Sequence, residues 1–78
     1  MDEIDENRPL WPYEEVVAAI RQLVEDTGPT PHAPLPSIGQ LAQRYGKSVK
    51  TVRKALRVLE GEKLVIVIES RGPFVAPP

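Results

Sequence analysis

The residues of this chain that are best suited to chemistry are cations spaced along one predicted helix. Within residues 48–60, apolar side chains recur at i, i+3, i+4 and i+7, at Val52, Ala55, Leu56 and Leu59. This periodicity predicts a helix that buries one stripe and turns its other side to solvent. The solvent side carries four cations, Lys50, Arg53, Lys54 and Arg57. A cationic side of this kind is often only a solvated surface, but it is also what binding to phosphates requires.

Other reactive residue types are nearly absent from the sequence. There is no cysteine, and the single histidine, His32, has no partners at metal-ligand spacing, so we interpret it as a solvent-facing loop residue. The sequence has neither a glycine-rich phosphate loop nor paired carboxylates on a convincing buried element. It therefore predicts no catalytic residue, no metal site, no cofactor and no enzymatic activity.

A second short helix is predicted just before the cationic one. Its apolar positions are Ile38, Leu41, Ala42 and Tyr45. Ser37, followed by Gln40 three residues later, has the pattern of a capping box at the helix start. Gly46 can end this helix in the left-handed conformation without a Cβ penalty, and Ser48 can cap the next helix. Two helices joined by a glycine turn predict a helix-turn-helix.

A longer helix is predicted ahead of this motif, over residues 13–27. Pro12 is tolerated in a first helical turn, and Gly28 with Pro29 is a stop signal. The outer side of this helix is mainly acidic and would repel phosphates, so we expect it to face away from any DNA. Trp11 is interpreted as a lid over this end of the core rather than as a stacking platform.

The last part of the chain has the pattern of a β-hairpin. Residues 64–68 are a β-branched run of strand length, residues 69–73 form a turn cluster, and residues 74–76 can return antiparallel. Because a lone hairpin is not stable in water, it must pack on the helices. Residues 27–36 contain four prolines and predict an ordered loop or an extended connector. Within it, Leu35 either reaches the core or makes a single edge-strand contact.

The order of these elements predicts an α+β fold, a winged helix-turn-helix with three helices followed by a β-hairpin wing. We expect residues 1–8 to be a disordered acidic tail and residues 9–76 to be the winged helix domain. Residues 77–78 are the C-terminal end or the start of a linker. Nothing in the sequence has the length of a membrane span or the pattern of a signal peptide, so a cytoplasmic protein is expected.

Charge is unevenly distributed along the chain. The formal net charge is −1, but residues 1–26 hold eight acidic and two basic residues, whereas residues 43–78 hold eight basic and three acidic ones. The basic part contains the cationic helix and the hairpin. It is therefore the part of the chain that suits a nucleic acid.

A joint pattern of short motifs runs through about residues 9–76. It consists of Leu35-Pro36-Ser37, Leu41-Ala42, Tyr45-Gly46, Ser48, Thr51-Val52-Arg53, Ala55-Leu56, Leu59-Glu60, Leu64-Val65, and Arg71-Gly72 with Phe74-Val75. In this pattern the chain resembles the DNA-binding domain of GntR-type bacterial transcription regulators. The resemblance implies an operator-binding winged helix, with the second helix of the motif in the major groove and the glycine tip of the wing in the adjoining minor groove.

Residue roles follow from the resemblance only where the residues match. It implies that Thr51 and Arg53 contact phosphate or bases, that Ser48 caps the helix and contacts the DNA backbone, and that Gly72 is at the wing tip. Arg71, beside that glycine, is expected to reach a narrow minor groove.

Two stretches of the helix-turn-helix depart from the family pattern, and the wing departs as well, with Ile66, Val67 and Ile68 where relatives often have charged side chains. Residues 37–40, Ser-Ile-Gly-Gln, stand where family members usually have Ser-Glu-Arg-Glu, and Val49-Lys50-Thr51 lacks an arginine that usually follows the serine. Arginine forks supply the commonest guanine readout, so we expect a different operator sequence, with Lys47, Lys50 and Val49 supplying the readout. The predicted DNA-binding residues are Ser37, Lys47, Ser48, Val49, Lys50, Thr51, Arg53, Lys54, Arg57, Arg71 and Gly72.

The expected partner is double-stranded DNA with a palindromic operator, at the nucleoid of a bacterial cytoplasm. Binding by one copy is expected to be weak and salt-dependent, with a transient homodimer on DNA through the apolar hairpin residues 65–68. The alternative is a winged helix that binds protein through this hairpin and the acidic tail, because a sheet covered on one face cannot bury five consecutive residues. The resemblance also implies a C-terminal effector-binding domain, which is absent from this chain. The residues do not encode the operator, the effector, or an activating or repressing sense.

Overall fold

A computed structural model of the protein describes residues 11–28 and 32–77. It contains three helices followed by a two-stranded antiparallel sheet, in the order α1 (Pro12–Thr27), α2 (Ile38–Tyr45), α3 (Val49–Gly61), β1 (Val65–Ile68) and β2 (Gly72–Val75). The predicted winged helix-turn-helix architecture is therefore confirmed. The expectation of a disordered tail over residues 1–8 lies outside the described residues.

Helix α1 begins where a proline fits a helix. Pro12 occupies the first helical position, at which an N–H would have no intrahelical partner, so the missing donor costs nothing. Trp11 is the N-cap residue, and its N–H donates to Glu14 Oε1 at 2.8 Å. At the other end, Gly28 has φ of 87° and closes the helix by donating its N–H to Val24 O at 3.1 Å. The buried side of α1 consists of Val16, Val17 and Ile20.

Helices α2 and α3 have the caps that the sequence predicts. Ser37 Oγ accepts the N–H of Gln40 at 3.1 Å, and the Ser37 N–H donates to Gln40 Oε1 at 2.9 Å, so the capping box is complete. Gly46 follows α2 with φ of 64° and ψ of 37°, in the left-handed conformation. Ser48 is the N-cap of α3. These local contacts set the direction in which the chain enters α3.

Strand β2 begins two residues earlier than the sequence predicts. Residues 72 and 73 belong to the strand rather than to the turn, with Gly72 opposite Ile68 and Pro73 opposite Val67. The Pro73 carbonyl accepts the N–H of Leu35 at 3.1 Å, so this edge of the proline points away from β1. The missing N–H of Pro73 therefore leaves the β1–β2 ladder intact.

The proline-rich connector lies along the other edge of β2. Val75 accepts the N–H of His32 at 2.8 Å and donates its own N–H to Ala33 O at 2.9 Å. Leu35 makes both of the alternative contacts, because it is buried in the core and its N–H also donates to Pro73 O of β2. His32 is exposed, as predicted, and has a φ of 63°. The connector thus covers an edge at which another strand could otherwise pair.

The hydrophobic core lies between the helices and the inner face of the hairpin. Helix α3 is central to it, since it packs against α1, α2 and β1. The buried core consists of Val16, Val17, Ile20, Leu35, Leu41, Ala42, Val52, Ala55, Leu56, Leu59, Val65 and Val75, and Pro73 of β2 is buried as well. All four residues of the predicted stripe on α3 are among them, so the opposite side of α3 is left to solvent.

The hairpin also has an apolar face that turns away from the core, the outer hairpin face. It consists of Ile66, Ile68 and Phe74, of which Ile68 is 42% exposed and the other two are half-buried. The prediction that all of residues 65–68 form one contact surface is wrong for Val65, which is 1% exposed, and for Val67, which packs against the core. Successive side chains of a strand point to opposite faces, so only alternate residues are available.

Within residues 11–28 and 32–77, no helix is long and apolar enough to cross a membrane. The same part of the chain has no cluster of histidine, cysteine, aspartate and glutamate side chains that could hold a metal ion.

Candidate nucleic-acid interface

The cations predicted on α3 share one exposed surface, the cationic face of α3. Its members are Lys50, Arg53, Lys54 and Arg57, all of which are exposed. Their spacing of three and four residues places them on successive turns of the same side of the helix. No carboxylate of the described residues forms an ion pair with any of them. Their charge is therefore available to an anionic partner.

The N-terminus of α3 is organised by Ser48. Its Oγ accepts the N–H of Thr51 at 3.1 Å and donates its own proton to Thr51 Oγ1 at 2.9 Å. Because the Thr51 hydroxyl is the acceptor in that second bond, its own O–H remains free to donate to a phosphate oxygen. Both residues thus have a capping role in the fold, and their contacts with DNA stay predictions.

The turn that leads into α3 contains two further predicted contacts. Val49 is 44% exposed at the first position of α3, where its methyl groups suit an apolar contact with thymine. Lys47 is less available than predicted, because its Nζ lies 3.3 Å from Glu15 Oε1 and only 24% of its side chain is exposed. Glu15, which belongs to the acidic side of α1, thus lies beside the turn of the motif, and the expectation that this side faces away from any DNA stays a prediction. Lys47 offsets the negative charge of Glu15 at this position.

Ser37 lies at the start of α2, near the wing side of the cationic face. Its neighbour Ile38 lines a cleft of about 210 Å³ between α3 and the hairpin, together with Arg53 and Arg57. Ser37 itself is exposed, and its Oγ and N–H are both used in the capping box. Ser37 and Lys47 therefore lie at opposite ends of α2 rather than side by side.

The wing tip is a three-residue turn between β1 and β2. The N–H of Arg71 donates to Ile68 O at 2.8 Å and closes the turn, and the Arg71 side chain is exposed. Gly72 has φ of 94° and is already the first residue of β2, so it lies immediately behind the tip. A residue with a Cβ would be strained at that φ. The contact of Arg71 and Gly72 with a minor groove stays a prediction.

Two carboxylates lie between the wing and the cationic face. Glu60 Oε2 accepts the N–H of Val67 at 3.1 Å, and Glu69 lines the same cleft as Arg53 and Arg57. Negative charge in this cleft opposes a phosphate. The part of the cationic face that is most favourable for phosphates is therefore the part that turns towards α1.

Trp11 is not the lid over the core that the sequence indicates. It is 63% exposed and lies beside α3. Together with Pro12 and Tyr13 it forms one wall of a groove of about 930 Å³, the α1–α3 groove, whose other wall carries the cationic face. In the sequence, Pro12 indicates the exposed position of Trp11. A proline at the first helical position makes Trp11 the N-cap residue, which precedes the buried stripe of α1.

Three helices and a hairpin, with a cationic second helix in the motif, define a winged helix-turn-helix domain. Residues 12–75 match the family model for bacterial regulatory proteins of the gntR family. The chain therefore belongs to the GntR family. Membership of a family of regulatory proteins agrees with the expectation that the chain is not an enzyme.

Relatives match nearly the whole chain but are much longer. The HTH-type transcriptional repressor NagR of Bacillus subtilis (strain 168) is 32% identical over 75 residues, which are 96% of this chain and 31% of NagR. The histidine utilization repressor of Klebsiella aerogenes is 36% identical over 66 residues, which are 85% of this chain and 27% of that protein. This chain thus spans about 30% of the length of these relatives.

Solved structures share the fold. The DNA-binding domain of AraR in complex with operator ORE1 aligns with a TM-score of 0.83 and 26% identity, over 97% of this chain and 93% of that chain. The N-terminal domain of AraR in complex with mutant ORR3 aligns with a TM-score of 0.80 and 29% identity, over 87% of this chain and 97% of that chain. In both cases the similarity covers nearly the whole of the solved domain.

Proposed function

We propose that this chain is the DNA-binding domain of a transcription regulator and that it binds double-stranded DNA sequence-specifically. The observation that carries the proposal is the cationic face of α3, which is exposed and free of ion pairs with the described carboxylates. Helix α3 enters the major groove with its N-terminus first. Arg71 and Gly72, at the wing, approach the adjoining minor groove.

The relatives support duplex DNA as the partner. The AraR domains of the same fold are bound to operators, and NagR and the histidine utilization repressor are named as repressors. The operator of this chain differs from that of family members that have the two arginines missing here, one within residues 38–40 and one after Ser48. Lys50 and Val49 present an ammonium and methyl groups to the base edges in place of an arginine fork.

The cations divide according to their distance from the N-terminus of α3. Lys50 is the second residue of the helix, where a recognition helix meets base edges. Lys54 and Arg57 lie one and two turns further along and contact phosphates. Arg53 lies between these groups and contributes to both kinds of contact.

Fluorescence anisotropy with labelled duplexes, after selection of a preferred site from a random pool, tests these assignments. The parent chain should bind duplex DNA, with log K falling linearly against log salt concentration. Arg57→Ala should weaken binding to all duplexes alike and reduce the salt slope by about 1. Lys50→Ala should cost about 1–3 kcal/mol on the preferred site and little on other sequences. If the two effects were exchanged, the roles would be reversed.

Lys63→Ala is the matched control for these variants. It removes one positive charge beyond the C-terminal end of α3 and outside the α1–α3 groove. The affinity for the duplex should therefore stay within about twofold of that of the parent chain. Absence of salt-sensitive duplex binding by the parent chain would refute the proposed function.

We also propose that two copies bind one palindromic operator, with half-sites about 10 base pairs or a multiple apart. The copies meet through the outer hairpin face rather than edge to edge, because Glu60 already occupies the Val67 N–H on the free edge of β1. Such a contact is small, so the dimer is transient.

Analytical ultracentrifugation with and without a palindromic duplex tests the dimer. Ile66→Lys should leave a single half-site duplex bound but abolish cooperative binding to paired half-sites. Cooperative binding by this variant would exclude the outer hairpin face as the contact. Tight, salt-insensitive binding by a strict monomer would exclude the need for a second copy.

A second candidate function is binding of another protein through the outer hairpin face. It is favoured by the neighbouring apolar side chains of Ile66, Ile68 and Phe74, which do not pack into the core. A chain that folds but binds no duplex at any salt concentration would favour this function.

We also propose that these 78 residues bind no effector. The proposed place of action is the nucleoid of the bacterial cytoplasm.

A further inference from the structure

The α1–α3 groove has one aromatic wall and one cationic wall. One wall, at the start of α1, is formed by Trp11, Pro12 and Tyr13, and the other is the cationic face of α3. Trp11 is 63% exposed, more than any other large apolar residue in the described part of the chain. A single exposed apolar side chain needs no explanation, but an indole placed opposite cations that form no ion pair with the described carboxylates does.

The groove is organised by a contact between its walls. Lys54 Nζ lies over the ring of Tyr13, 4.2 Å from its centroid, which is the geometry of a cation–π interaction. This contact holds the ammonium group near the aromatic wall and restricts the motion of a long side chain. The ammonium group has three N–H donors, so it can still bond to an anion that enters the groove.

We propose that the α1–α3 groove receives the sugar–phosphate backbone of one DNA strand, with Trp11 packing on deoxyribose and Lys54 and Arg57 bonding to phosphates. This inference rests on the proposed function. A backbone alternates apolar sugars with anionic phosphates, and the two walls offer an aromatic surface and cations in the corresponding places. The groove is also continuous with the face of α3 that enters the major groove, where the duplex backbone lies alongside the recognition helix.

The proposal gives Trp11 a distinct role among the contacts. A contact with deoxyribose carries no sequence information, so Trp11 adds affinity on every duplex and sets the register of α3 without selecting bases. It also neutralises no phosphate, so it releases no counterion. Removal of Trp11 is therefore distinguishable from removal of Lys50, which alters site preference, and of Arg57, which alters the salt slope.

A different occupant is an unpaired base stacked on the indole. Aromatic residues beside basic grooves bind single-stranded nucleic acid in this way. A duplex keeps its bases stacked inside the helix, so a contact from outside reaches the sugar first. Parallel titrations with duplex and single-stranded DNA separate the two occupants.

Trp11 is the only tryptophan of the chain, so its emission reports on this groove alone. A single half-site duplex is titrated into the chain while tryptophan emission and the anisotropy of the labelled duplex are followed together. We expect the emission to change in parallel with the anisotropy. Trp11→Ala should weaken binding about 5- to 10-fold on both the selected site and a scrambled duplex, with an unchanged salt slope. Trp11→Phe, which keeps an aromatic surface, should recover most of the affinity.

Lys63→Ala is again the control, because Lys63 follows the C-terminal end of α3 and lies outside the groove. Its affinity for the single half-site should stay within about twofold of the parent. Thermal melts accompany each variant. Trp11→Ala should melt near the parent temperature, since the side chain it removes is mainly in solvent.

The outcomes separate this inference from the proposed function. Duplex binding with unchanged Trp11 emission and an unchanged affinity of Trp11→Ala overturns the inference and leaves the proposed function standing. A change of preferred sequence in Trp11→Ala, or an emission change with single-stranded DNA only, also overturns it. If no duplex binds the parent chain, the proposed function fails and the inference fails with it.

Discussion

The two helices of the motif end in turns of the same geometry but of different sequence. After α2, Gly46 has φ of 64°, and the N–H of the next residue donates to Ala42 O at 2.9 Å. After α3, Lys63 has φ of 64°, and the N–H of the next residue donates to Leu59 O at 3.0 Å. Both turns are Schellman motifs, in which one left-handed residue allows the last carbonyls of the helix to be satisfied.

The difference between the turns is the position of the glycine. Gly46 takes the left-handed conformation itself, whereas Gly61 is still helical and Lys63 adopts that conformation two residues later. The unfavourable backbone of Lys63 is held in place because Leu64, the next residue, packs against the core and leads into β1. The first turn is thus decided by a local residue preference and the second by the packing of the residues around it.

The largest effect is expected from the packing that holds the second turn. Leu59 is 0% exposed and supplies the carbonyl that closes this turn, so Leu59→Ala should lower the free energy of unfolding by about 2–5 kcal/mol. Ala42→Gly, at the equivalent position of the first turn, should cost only about 1 kcal/mol. Urea unfolding measures both. Equal losses at the two sites would show that packing does not distinguish the turns.

The first turn should be broken by a residue that disfavours the left-handed conformation. Gly46→Val should lower the stability by about 1–2 kcal/mol, because a β-branched residue is forced to a positive φ. The melting temperature should fall by about 4–8 °C for each kcal/mol. Gly39→Val is the control, since Gly39 lies inside α2 with open space at its Cβ position and no positive φ. An unchanged melting temperature for Gly46→Val would contradict the role assigned to this glycine.

The turn after α3 should become more stable if its left-handed residue, Lys63, is replaced by glycine, the residue at that place in the turn after α2. Lys63→Gly should raise the free energy of unfolding by about 1 kcal/mol, because the left-handed strain of a residue with a Cβ is removed. Lys63→Ala removes the same charge and keeps the strain, so it should not be stabilising. Calorimetry on the two variants and the parent separates the effect of the backbone from that of the charge.

The smallest effect is expected at Gly61, which is the last residue of α3 and does not have a positive φ. Gly61→Ala should stabilise the chain by about 0.5 kcal/mol, because alanine favours a helix and Gly61 is the last residue of α3. Nothing lies within 4 Å of a Cβ built at Gly61. A loss of stability would show that Gly61 requires a conformation that alanine avoids.

The helix-turn-helix could be predicted closely because its signals are local. The bonds that cap α2 and α3 join residues three positions apart, from Ser37 to Gln40 and from Ser48 to Thr51. The side of α3 that carries the cations follows from the helical period alone. These contacts depend on short stretches of chain, so residue type and spacing are sufficient to predict them.

The candidate interface was less predictable where two elements meet. The period of α3 indicates that its cations are exposed, but it does not indicate that α1 brings Trp11 and Tyr13 alongside them. The pairing of Lys47 with Glu15 depends in the same way on how α1 crosses the motif. No local pattern contains that crossing, because it results from the packing of side chains in the shared core.

The sequence by itself determined the order of the elements, the caps of α2 and α3 and the exposed side of α3. Only the tertiary structure decided that β2 starts at Gly72, that the left-handed residue after α3 is Lys63 rather than Gly61, and that Trp11 lies beside the recognition helix. The first group of features depends on hydrogen bonds and periodicity within a few residues. The second depends on contacts between segments far apart in the chain, and those contacts can override local preference where the packing they provide outweighs about 1 kcal/mol of backbone strain.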